Sequence, residues 1–104
     1  MMADKGASVL LYTRKWCGYC FAARRLLTSL GVAFGEIPLD RKPELRREIS
    51  EKAGGWRTVP MIFIGDHFVG GYTEIAALHR KGGLLPMVNS VHPDHNPHTT
   101  VGPV

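Results

Sequence analysis

Hydrophobic and polar residues follow two different periods along most of this chain, and the switches between them mark its elements. Residues 8 to 13, SVLLYT, form a short unbroken apolar run rich in strand formers, the pattern of a strand covered on both faces. From Gly18 to Leu30 the period becomes helical: Ala23, Leu26, Leu27 and Leu30 share one face, and Gly31 stands where the helix should end. VAFGEIPLD predicts a second strand. Pro43 then opens PELRREISEKA, where Leu45, Ile49 and Ala53 recur every four residues before Gly54 and Gly55 stop the helix. TVPMIFIGDHFVGG predicts two short strands, Met61 to Ile64 and His67 to Val69, joined by the tight turn Gly65-Asp66. Thr73 is placed to cap a last helix whose inward side holds Ile75 and Leu78 and which Gly82-Gly83 close. The order β-α-β-α-β-β-α predicts an α/β fold occupying residues 1–85. Beyond Leu85 the periodicity fades and prolines interrupt a polar stretch, so residues 86–104 are expected to form a flexible tail.

Composition narrows the picture without changing it. A chain of 104 residues has room for one core, and no apolar run approaches the roughly 18 residues of a membrane span. The start, MMADKGASVLLYT, lacks a small-residue cleavage site after its apolar run, so a cytoplasmic location is expected. Thirteen basic residues against nine acidic give a net charge of +4. They are scattered singly or in pairs, and the mixed signs of PELRREISEK fit a solvated helix face better than a nucleic-acid surface. A weak positive field still favours small anionic substrates. His92, His95 and His98 recur every three residues in the tail, but the prolines among them leave no helix to align them on a metal.

The chemistry is concentrated in RKWCGYC, residues 14 to 20. Two cysteines two residues apart close too short a loop to stabilise the fold, and no second C-x-x-C or neighbouring histidine pair completes a four-ligand zinc site. Reactivity is the remaining reason for the pair, against the plain alternative of two small buried side chains. Cys17 falls at the start of the predicted helix, where free backbone N–H groups and the dipole favour an anion, and Arg14 and Lys15 add positive potential. Cys20 lies one turn in, on the stripe of Ala23 and Leu27, and should be less exposed. These positions suit a nucleophile and a resolving thiol.

Four motifs, in order, resemble a dithiol glutaredoxin between about Val9 and Leu85: YTRKWCGYC, RTVPMIFIG, the Gly70-Gly71 pair and RKGGL. A thioredoxin would place proline directly before the second cysteine, where this chain has Tyr19. The resemblance implies a thioredoxin-like fold with a four-stranded mixed sheet flanked by helices. It also implies a glutathione-dependent disulfide oxidoreductase, with Cys17 as nucleophile, Cys20 as resolving thiol and a glutathione groove beside them. Arg14 and Arg57 then bind the glycine carboxylate, unless they are solvated surface charges. Tyr19 lines the groove or simply packs. Thr58, Val59 and Pro60 supply a strand-like pairing with the cysteinyl part of glutathione, after a Val59–Pro60 bond expected to be cis. Gly70 and Gly71 let the backbone approach the γ-glutamyl end, Tyr72 and Thr73 offer N–H groups to its carboxylate, and Glu74 faces its ammonium.

Three departures from the family pattern matter. Gly18 replaces a common proline, and Glu74 stands where aspartate is frequent. Trp16 before the nucleophile and a small residue after it resemble glutaredoxins that bridge two subunits with a [2Fe-2S] cluster, one Cys17 and one glutathione from each side. The enzyme reading predicts a monomer whose partners are glutathione and disulfide-containing or glutathionylated proteins, with no nucleic acid or membrane. The cluster reading predicts a dimeric carrier, and a thioredoxin-type reductant would act without glutathione.

Overall fold

The structure, a computed structural model, describes residues 8–90. Its four strands are β1 (Val9–Thr13), β2 (Phe34–Pro38), β3 (Met61–Ile64) and β4 (His67–Gly70). Its helices are α1 (Gly18–Ser29), α2 (Pro43–Lys52), α3 (Tyr72–Arg80) and α4 (Leu84–Asn89). The sheet runs in the order β2-β1-β3-β4. β1 pairs parallel to β2 and antiparallel to β3, and β3 pairs antiparallel to β4 across the Gly65 turn. The expected mixed sheet and helix order are therefore present.

Both faces of the sheet are covered, which is why β1 reads as a continuous apolar run. On one face Val9, Leu11, Ile62 and Ile64 meet Ala23 and Leu27 of α1, Ile75 of α3 and Leu84 of α4. On the other, Met61 packs with Leu39, Ile49 and Ala53, and Tyr12, Trp56, Phe63 and Phe68 pack around them. α2 owes its start to Pro43 and carries Glu44 in its first turn and Lys52 in its last, both complementary to its dipole.

Two expectations are revised. The ordered chain does not stop at Leu85: α4 continues to Asn89, with Leu84 buried and Met87 and Val88 packed on the core. Pro86 does not prevent this, because it lies in the first turn, where its missing N–H has no helical partner to lose. Nor is Thr73 the cap of α3. That position belongs to Gly71, in extended backbone at φ −104° and ψ −158°, and Thr73 is the second residue of the helix. Among the described residues no helix is long and apolar enough to cross a membrane. His92, His95 and His98 lie outside the described residues.

Candidate active site

The first cysteine is delivered by the turn between β1 and α1. Trp16 bends the chain there through a left-handed conformation, φ +57°, that is costly for a bulky residue, and its side chain is 97% exposed. Asp40, just beyond β2, ties the turn down by accepting the Lys15 N–H with both carboxylate oxygens at 3.2 Å. Cys17 follows as the N-cap of α1, in extended backbone at φ −110° and ψ 113°. Its sulfur replaces the usual hydroxyl or carboxylate of a cap and accepts the Cys20 N–H at 3.3 Å.

This setting separates the two thiols. Partial burial raises the Cys17 pKa, but hydrogen bonds from the Cys20 thiol and N–H and from the Tyr19 N–H, with the Arg14 charge, outweigh it and bring the group below the ordinary cysteine value. Cys20 is completely buried. Burial first, and then the neighbouring Cys17 sulfur, pushes its thiol up to about 12. The pair is therefore split, with Cys17 the more easily ionised sulfur at the helix end and Cys20 a protonated thiol that donates to it. When Cys17 is itself protonated, its S–H reaches the Val59 carbonyl at 3.7 Å.

Val59 belongs to the irregular segment before β3, outside the strand ladder, and the Val59–Pro60 bond is cis as expected. That segment forms one wall of a groove of about 260 Å³ next to Cys17. Trp56, Thr58, Val59 and Pro60 line this wall, Gly71, Tyr72, Thr73 and Glu74 line the other, and Tyr19 reaches in from α1. Gly70, at φ +128°, lets the chain turn into the second wall, and a Cβ there would lie 2.6 Å from the Glu74 Cγ. Glu74 folds back over that gap, and its Oε1 accepts the Gly71 N–H at 2.9 Å and the Thr73 hydroxyl at 3.0 Å. Burial works against its ionisation, but these bonds and that of its own N–H exceed the effect and hold the carboxyl below its ordinary value. The longer side chain of glutamate thus caps the helix with one oxygen and leaves Oε2 for other use.

Of the residues singled out in the sequence, Tyr19, Thr58, Val59, Pro60, Gly71, Tyr72, Thr73 and Glu74 meet around this groove. Cys17, Cys20, Arg14 and Arg57 are not among its lining residues, and Cys17 meets the groove through the Val59 carbonyl. Arg14 lies on the opposite flank of the turn, in a concavity shared with Lys15, Trp16, Arg24, Glu36 and Asp40. Arg57 is exposed, and its backbone carbonyl accepts from Arg46 at 2.9 Å. On Arg14's flank Glu36 is neutralised locally by Arg24 and accepts the buried Thr13 hydroxyl, each 2.8 Å from Oε2.

Two contributors were missed. Trp56 forms part of the groove wall, set edge-on to Phe68, and its buried Nε1 has no hydrogen-bond partner among the described residues. Its one signal in the sequence was a large aromatic directly after the Gly54-Gly55 stop. Asp40 gave none, because the N–H it holds lies 25 residues away.

The glutaredoxin family model matches residues 9–69. A glutaredoxin of Pseudomonas aeruginosa is 51% identical over 82 residues, covering 79% of this chain and 96% of that protein. Glutaredoxin 3 of Escherichia coli K12 is 42% identical over 82 residues, covering 79% and 98%. Among solved structures, the crystal structure of a buckwheat glutaredoxin-glutathione complex superposes with a TM-score of 0.76 at 28% identity, covering 86% of this chain and 83% of that one.

Proposed function

The chain belongs to the glutaredoxin family, and from that premise we propose that it reduces glutathione mixed disulfides and protein disulfides at Cys17, with glutathione as the reductant. The observation that carries this reading is the Cys17 sulfur capping α1 within 3.7 Å of the carbonyl of Val59, a residue that lines a peptide-sized groove. In the first step the Cys17 thiolate attacks the glutathione sulfur of a protein mixed disulfide. One S–S bond forms as the other breaks, and the protein thiolate leaves and takes a proton from water. The thiolate of a second glutathione then attacks the bound one, releasing glutathione disulfide and restoring Cys17. A glutathione reductase returns the electrons.

The groove suits glutathione chemically. Val59 can offer its N–H and C=O to the cysteinyl residue as an added strand would. The first-turn N–H groups of Tyr72 and Thr73 suit the γ-glutamyl carboxylate, and the free Oε2 of Glu74 suits its ammonium. Arg14 and Arg57 do not line the groove, so either would have to turn its long side chain toward it to meet the glycine carboxylate. The Arg14 charge also favours the Cys17 thiolate.

With a protein disulfide as substrate, Cys20 completes the reaction. Two of the effects that hold its thiol protonated come from the Cys17 sulfur, through a hydrogen bond and through charge. Both disappear when Cys17 enters a mixed disulfide, so Cys20 ionises more readily at the stage where its thiolate must attack. Cys20 then bonds to the Cys17 sulfur, the substrate leaves as its second thiolate, and two glutathiones reduce the internal disulfide. We place this activity in the cytoplasm, in a monomer. The cluster-carrying alternative needs a second chain, because complete burial of Cys20 leaves one sulfur per chain for ligation. A brown dimer with visible absorption after anaerobic purification would favour it.

The test is a glutathione-coupled assay on two variants. Cys17→Ser should abolish turnover, whereas Cys20→Ser should keep deglutathionylation and lose reduction of protein disulfides. Full activity in Cys17→Ser would refute the assignment.

A further inference from the structure

The outward face of α1 takes no part in the reaction above. Phe21, one turn beyond Cys17, is 55% exposed, and the Arg25 guanidinium, one turn further, lies 5.8 Å from the Phe21 ring centroid. Together they form a ridge between two depressions. One, of about 330 Å³, is bounded by Ala22, Leu26, Ser29 and Tyr72, and the other, of about 310 Å³, by Arg24, Thr28 and Ser29. Tyr72 is also a wall of the glutathione groove, and it stacks on Tyr19 with ring centroids 6.3 Å apart. Tyr72 thus borders both the groove and the first depression, so a polypeptide leaving the reactive sulfur can continue over the stacked tyrosines onto α1.

The chemistry of this face selects its occupant. α1 carries two arginines and no acidic residue. Arg24 is paired with Glu36 at 2.8 Å, whereas Arg25 has no carboxylate partner among the described residues. An exposed aromatic ring beside an uncompensated guanidinium, on a chain of net charge +4, complements a segment with one apolar and one acidic side chain.

We propose that this ridge docks the polypeptide part of the substrate, an extended acidic segment flanking the target cysteine. Along a helix that rises about 1.5 Å per residue, Phe21 and Arg25 lie about 6 Å and 12 Å beyond Cys17. An extended chain covers about 3.3 Å per residue, so the apolar residue falls about two positions, and the acidic one about four, from the substrate cysteine. This inference rests on the oxidoreductase reading and adds the substrate class to it.

The test uses short peptides whose single cysteine is a mixed disulfide with glutathione. Leucine stands two residues from the cysteine and Glu or Lys four residues from it, on either side. Cysteamine–glutathione mixed disulfide serves as a substrate that cannot reach the ridge. On the side that fits, the Glu peptide should exceed the Lys peptide in kcat/KM by about threefold, the scale of one exposed ion pair. Arg25→Glu should reverse that preference, and Phe21→Ser should raise KM for the leucine peptides about fivefold, with kcat unchanged. Turnover of the cysteamine substrate should be the same in both variants and the wild type. Wild-type discrimination in Arg25→Glu, or none in the wild type on either side, with the cysteamine substrate still consumed, would overturn the docking proposal alone. No turnover of any substrate by the wild type would overturn the oxidoreductase reading and the docking with it.

Discussion

α1 and α3 both present their N-termini to the groove, and each end is finished by a different ionisable side chain. At α1 the cap is the Cys17 sulfur, accepting the Cys20 N–H. At α3 it is the Glu74 carboxylate, accepting the Gly71 N–H. In both, partial burial opposes the charge and hydrogen bonds to the anion prevail, so both groups ionise more readily than usual. The difference lies in what the anion can then do. A carboxylate is a poor nucleophile toward sulfur and remains a fixed anchor, whereas a thiolate in the same electrostatic setting attacks disulfides and surrenders its charge as it does so. In the proposed function one helix end serves as the reaction centre and the other as a binding site, through the choice of one atom type.

The sharpest way to break this comparison is to remove the reactive cap. Cys17→Ser keeps a hydroxyl that can still accept the Cys20 N–H, so the helix should survive while glutathione-coupled turnover falls by at least about a thousandfold. The next is Gly70→Ala, which would put a Cβ into the Glu74 side chain at a backbone angle that glycine alone tolerates. Chemical denaturation should show a loss of about 1–3 kcal/mol, together with weaker glutathione binding by calorimetry. Glu74 itself allows a finer cut. Glu74→Gln retains the capping oxygen and should raise the KM for glutathione several-fold with little change in stability. Glu74→Ala removes the cap as well and should cost about 1 kcal/mol in addition. The smallest effect concerns the start of α1. A Cβ at Gly18 meets nothing within 4 Å, and the residue is the first of the helix, where proline suits both φ and the missing N–H. Gly18→Pro should stabilise the reduced protein by about 0.4–1 kcal/mol in the same denaturation experiment.

Much of this arrangement was legible in the sequence where the cause is local. The stripe of Ala23 and Leu27 is a matter of helical period, the β3–β4 hairpin follows from Gly65-Asp66, and the position of Cys17 at a helix start follows from the strand before it and the apolar period after it. What stayed hidden was set by distant contacts or by competition between neighbours. α4 forms because Met87 and Val88 find the core laid down by other elements, and its short length leaves too little period to recognise. Thr73 looked like the cap because threonine is a good one, but Gly71 reaches the extended conformation two residues earlier and Glu74 supplies the missing acceptor. Arg57 sits next to the groove residues in sequence without lining their groove, since alternate residues of an irregular segment need not point the same way. Asp40 steadies the active-site turn across 25 residues, a link that no local pattern carries.

The central claim is that the helix end keeps one sulfur charged and the other protonated, and titration of the thiols in the reduced protein tests it most directly. Thiolate absorbance in the ultraviolet should rise in two well-separated steps. The first, below the ordinary cysteine value, should vanish in Cys17→Ser, and the second should lie near 12 and belong to Cys20. Because Cys17 is depressed, kcat/KM for a glutathionylated substrate should climb with pH up to that first step and level off above it, once the substrate's own titration is accounted for. A single step at the ordinary cysteine value, with both sulfurs titrating together, would contradict the account.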